Sequence, residues 1–98
     1  MSALKNLGKW KKVGEDGHVI PGSFDGDATA YQLLVDANAD ATGVLDSYCE
    51  SEAAVKAVVD LKAGGTVPAA IPGSGFVIHQ GNLKELAPRM WGDNVRKK

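Results

Sequence analysis

Ninety-eight residues, 44% hydrophobic and 23% charged, make one small domain, and a chain of this size buries roughly 60–65% of its unfolded surface. No run approaches the roughly 18 apolar residues of a membrane helix, and Met1-Ser2-Ala3-Leu4-Lys5-Asn6 lacks the apolar segment of a signal peptide, so an intracellular setting, without secretion by a signal peptide, is expected. The net charge of −1 is unevenly spread: Lys5, Lys9, Lys11 and Lys12 at one end, Arg89, Arg96, Lys97 and Lys98 at the other, and ten acidic residues against one lysine between Val13 and Asp60.

In chain order, Ser2 to Gly8 carries Leu4 and Leu7 and is expected to form one short helical turn at a fraying end. Trp10-Lys11-Lys12-Val13-Gly14 and His18-Val19-Ile20 flank Glu15-Asp16-Gly17, and Asp-Gly between apolar runs signals a hairpin. Pro21-Gly22 would end its second strand, leaving Ser23 to Gly26 as a loop with Phe24 as an anchor. Asp27 can cap a helix over Ala28 to Ala37 that places Ala30, Tyr31, Leu34 and Val35 on one face. A strand with Tyr31, Leu33 and Val35 on one side competes, and the helix is preferred. Asp40 is a candidate cap for the next segment. There Val44, Leu45, Tyr48, Cys49, Glu52, Val55 and Val59 keep helical spacing, so Thr42 to Ala63 is one helix or two broken near Ser51, with Gly43 and Ser47 weakening the first half.

Ser51 heads the strongest helical segment, Glu52 to Ala63, in which Val55, Val58 and Val59 form an apolar stripe that the stem of Lys62 can extend. Gly64-Gly65 stops it. Thr66 to Ile71 and Phe76 to Gln80 are expected to be extended segments joined by the turn Pro72-Gly73-Ser74-Gly75. Pro68 restricts the first of them to an edge strand or an extended arm. The expected picture is a helix folding back on a hairpin. Asn82 can then cap a single turn from Leu83 to Ala87 before Pro88, and Asp93 to Lys98 forms a polar basic tail. The fold class is α+β: a small single domain, 1–98, with one or two helices packed on short antiparallel hairpins and extended terminal segments. The ends 1–9 and 92–98 are expected to be flexible or ordered by a partner.

No constellation in this chain specifies a chemistry. Asp36-Ala37-Asn38-Ala39-Asp40 spaces oxygen ligands as a calcium loop does, but Ala41 stands where that loop needs glycine and Ser47 where it needs glutamate, so it is expected to be an Asx-rich turn between two helices. Cys49 is the only cysteine, which excludes an internal disulfide and a cysteine zinc cage. His18 and His79 are the only histidines, and a metal site needs three or four ligands. Ser74 lacks the strand-to-helix setting of a nucleophile elbow. No phosphate-binding glycine pattern occurs, and Gly64-Gly65-Thr66 ends a helix rather than opening one. Trp10 and Trp91 beside basic residues could stack on nucleic acid, but the acidic middle disfavours a polyanion. No catalytic, cofactor-binding or metal-ligating residue is therefore expected, and no small-molecule substrate is evident.

Three features converge on a surface for other proteins: no catalytic group, nearly cancelling charge blocks, and proline-punctuated extended segments followed by an aromatic-basic end. From Gly65 to Gly81, and again from Arg89-Met90-Trp91 to Lys98, the chain resembles small bacteriophage virion accessory or capsid-decoration (cement) proteins. It is small, rich in Ala, Gly and Val, nearly cysteine-free, and carries extended arms. The resemblance implies a non-enzymatic structural protein that binds protein subunits, its own or those of a shell or tail, in many copies. Trp10, Phe24, Ile71, Phe76, Arg89 and Trp91 are the expected interface residues. The alternative is a small regulatory or inhibitory module acting on a host protein. An enzyme built on Asp25, Asp27, His18 and His79 ranks third.

Overall fold

In the computed structural model, which describes residues 1–98, the best local signal lies at Asp27. Its carboxylate accepts from the Ala30 amide at 2.7 Å and opens helix α2, Ala28–Val35. The helix ends where Ala37 enters the left-handed region (φ +57°), with the Asn38 and Ala39 amides turned back to the Leu33 carbonyl. The segment from Asp36 to Asp40 is thus a turn between a helix and a strand, not between two helices.

That strand, β2 (Ala41–Leu45), is the centre of a three-stranded mixed sheet. β1 (Gly22–Asp25) lies parallel to it, with Phe24 opposite Gly43, and β3 (Gly75–His79) lies antiparallel, with Val77 opposite Gly43. The parallel pair needs a crossover, which α2 supplies. Two expectations fail here. Residues 41–45 are not the start of a helix: Gly43 weakens that state, and strands more than fifteen residues away on either side supply the ladder. Residues 22–25 are a strand rather than a loop.

The first expected hairpin is also absent. Glu15-Asp16-Gly17 does turn, with the His18 amide on the Glu15 carbonyl, but the flanking segments bond elsewhere. The Val13 amide donates to Ala37 at 2.8 Å, and the ring of His18 bonds the Lys11 carbonyl and Asp40. At the chain start, α1 (Ser2–Asn6) buries none of its residues.

The long helix α3 spans Ser47–Lys62 and is capped by Asp46, whose carboxylate accepts from the Cys49 amide at 3.1 Å. Ser51 is therefore inside the helix, its hydroxyl donating to the Ser47 carbonyl. A carboxylate at the positive helix end outcompetes a serine that can be satisfied within the helix. Thr66 to Ile71 forms no strand and no hairpin with β3. It returns along α3 as an extended segment, and Pro68 and Pro72 deny it the donors of a ladder.

α4 (Leu83–Leu86) is preceded by Asn82, whose side chain accepts from the His79 amide rather than from the helix; a 3-10 turn (Ala87–Arg89) then leads to α5, Trp91–Arg96. The end expected as a polar tail is thus helical and packed against α2. Asp93, 1% exposed, is held by Arg96 and Lys97. Gly92 makes this approach possible, because a β-carbon there would lie 2.3 Å from the Asp27 carbonyl carbon.

The core consists of Ala30, Leu34, Ala39, Val44, Ile78 and Met90, supported by Tyr31, Leu33, Phe76, Leu83, Leu86 and Trp91. The molecule measures 61 × 27 × 22 Å. The radius of gyration of 17.7 Å exceeds the roughly 12.5 Å of a compact chain of this length. No buried residue lies in 1–25 or in 47–75, so the N-terminal stretch and the arm formed by α3 and its return segment both lie outside this core.

Candidate protein-docking site

The arm begins at a fixed base. Asp46 is buried, caps α3, and accepts from the Arg89 guanidinium at 2.7 Å; the Cys49 amide first, and Arg89 next, hold its carboxyl below the usual carboxylate range. Asn94 of α5 donates to the Tyr48 hydroxyl at 2.9 Å, and the Asp46 amide bonds the Ser74 carbonyl, so both ends of the arm are tied to the domain.

Beyond this base α3 buries none of its residues. At 100° per residue, Cys49, Ala53, Ala57 and Asp60 share one face, and these are half-buried beneath the return segment. Pro68, Ala69, Ile71 and Pro72 leave an open groove of about 410 Å³ against Cys49, Ala53 and Ala54. The opposite face carries Tyr48, Val55, Val58 and Val59, and the valines are 64%, 55% and 58% exposed. The stripe expected from the spacing exists, but it faces solvent. The chain has spent its small residues on its own return segment and left its large ones without a partner.

A second apolar surface lies on the uncovered side of the sheet, where Phe24 and Val77 flank Gly43 in one row. The ring of Phe24 lies over Gly43, close enough that a β-carbon there would stand 2.8 Å from it, and still remains 69% exposed.

The six residues singled out from sequence are dispersed. Trp10 is half-buried near the N-terminal helix with the Lys5 ammonium 5.4 Å above its ring. Phe24 lies on the open sheet and Ile71 in the arm groove. Phe76 packs on the core beneath the Arg89 guanidinium at 4.7 Å. Trp91 also packs on the core, its indole N–H donating to the Asp25 carbonyl at 2.8 Å. Absent from those six are Tyr48, Val55, Val58, Val59 and Leu61. The spacing shows the shared face of the valines, and sequence reasoning spends that face on the domain's own packing.

Asp25, Asp27, His18 and His79 do not form a cluster. Asp27 caps α2, His18 bonds Asp40 at 2.7 Å, and His79 accepts from the Gly81 amide. No three His, Cys, Asp or Glu side chains converge in metal-binding geometry, and no helix is long and apolar enough to cross a membrane. Of the basic end, Arg89 reaches the acidic middle at Asp46, whereas Arg96 and Lys97 are engaged by their neighbour Asp93. No family model matches the chain, and no curated protein matches it.

Proposed function

We propose that the chain is a non-enzymatic assembly protein that binds other protein subunits through the α3 arm, as an accessory of a larger shell or tail like those of bacteriophage virions. The observation that carries this reading is a 16-residue helix that buries none of its residues and holds its largest apolar side chains in solvent. Such a surface is unfavourable in water and favourable once covered. The fixed base at Asp46 and Arg89 supports the same reading, since it presents the stripe in one orientation and lowers the ordering cost of binding.

The test is to purify large assemblies from cells producing the protein and count its copies by quantitative mass spectrometry. Many copies per particle, lost on Val58→Asp, are expected. A defined complex with one host protein at low stoichiometry would replace this reading with the regulatory module.

A further inference from the structure

The geometry points to a second copy of this chain as the occupant of the valine face, packed antiparallel along α3. This deepens the docking reading above and rests on it. The argument comes from the charges that border the stripe. Glu52 and Lys62 lie at its two ends and form no ion pair within the chain, whereas Lys56 is already bonded to Asp60. Position 57 lies midway between Glu52 and Lys62, and also midway between Val55 and Val59. An antiparallel pair centred there brings each Val55 level with the partner's Val59, and in the same register sets each Glu52 level with the partner's Lys62. Two equivalent ion pairs close the ends of one apolar contact, as the self-complementarity of a two-fold interface requires. A parallel pair would put Glu52 against Glu52 and Lys62 against Lys62, and like charges at that distance repel.

The size of the face sets the strength. Sixteen residues give a strip about 24 Å long, and one strip covers less than the roughly 800 Å² per partner of a standard stable interface. The pair is therefore concentration-dependent in isolation and becomes persistent where copies are held close together, as on an assembly.

The test is sedimentation of the full chain across a concentration series, at low and high salt. The native chain is expected to dimerise with increasing concentration and to weaken in salt, since exposed ion pairs are screened. Val59→Asp is expected to weaken association at least about tenfold with unfolding unchanged, because the side chain is exposed. Glu52→Lys and Lys62→Glu should each weaken it about five- to tenfold, and the double variant should recover it. In a Cys49→Ala background, a mixture of Glu52→Cys and Lys62→Cys chains should give the mixed disulfide in preference to either symmetric one. A native chain that stays monomeric throughout overturns self-pairing, as does a preference for symmetric disulfides or a double variant that does not recover. The wider docking reading survives those results if Val58→Asp still removes the chain from its assemblies. A dimer indifferent to Val59→Asp overturns self-pairing through this face, and assemblies that keep the chain after Val58→Asp overturn the docking reading itself.

Discussion

Gly92→Ala sets two principles against each other. The residue is inside α5, where alanine is preferred to glycine by about 1 kcal/mol. On propensity alone, the substitution should stabilise. Yet the new β-carbon would lie 2.3 Å from the Asp27 carbonyl carbon and 2.5 Å from the carbonyl oxygens of Asp27 and Gly26. These are backbone atoms at the start of α2 and cannot rotate aside. Forcing α5 outward also strains the Trp91 bond to Asp25 and opens the packing around Asp93. Overpacking of this kind costs typically 1–3 kcal/mol, and more where the obstruction is backbone. After the helical gain, a net loss of about 2 kcal/mol remains, or a fall in Tm of about 8–16 °C for a domain of this size. Thermal unfolding followed by circular dichroism measures it. An unchanged or raised Tm would refute the close approach of α5 to α2.

Three further outcomes are expected from the polar contacts and the arm. Both ring nitrogens of His18 face oxygen acceptors, the Lys11 carbonyl at 2.8 Å and Asp40 at 2.7 Å, and only the protonated ring can donate to both, so the arrangement favours the imidazolium form. Asp40 first, then Lys11, raises its pKa; the stabilisation is complete below about pH 6.5 and is lost as pH rises through the raised folded value. The Tm of the native chain, measured from about pH 6 to about pH 9, should therefore fall more than that of His18→Ala. Asp46→Ala should cost about 1–2 kcal/mol through the lost cap, whereas Arg89→Met should cost less, because the guanidinium is largely exposed. Because the carboxyl of Asp46 is held low, its contribution is present near neutrality and is lost as pH falls through that depressed value; urea unfolding of the native chain and Asp46→Ala should converge in acid. Finally, no buried residue lies between Ser47 and Gly73, and Leu45 faces Gly75 in the ladder. Replacing Ser47 to Gly73 with an Asn-Gly turn should thus leave cooperative unfolding intact, and loss of the cooperative transition would show that the arm is part of the core.

What is legible in the sequence is what a few neighbouring residues decide. Asp27 and its helix are specified within ten residues, and so is the stop at Gly64-Gly65, where Gly64 adopts φ +82°. The sheet is not legible, because β2 acquires its identity from β1 and β3, which lie far along the chain. A glycine between Thr42 and Val44 reads locally as a weakened helix, whereas in the fold it is the place where Phe24 crosses the central strand. Asp-Gly at 16–17 does produce its turn, but turn chemistry does not decide what the flanking residues bond. The exposed valine face is half legible. Periodicity states which residues share a face, and Val55, Val58 and Val59 do; it does not state that the face meets this chain's own core.

That distinction bears on stability as well as on function. Only 12 of 98 residues are buried, so the isolated chain belongs near the lower end of the usual 5–15 kcal/mol, at about 5 kcal/mol. Covering the valine face stabilises the folded state by mass action, by about 2.7 kcal/mol when the partner stands at a hundred times its dissociation constant. Such a gain is a large fraction of the whole. For a chain whose arm pairs with another copy, folding stability and assembly are then the same equilibrium seen from two sides. With a core this sparse, a contact worth about 2.7 kcal/mol would shift the folded population far more than the same contact would in a protein of average stability.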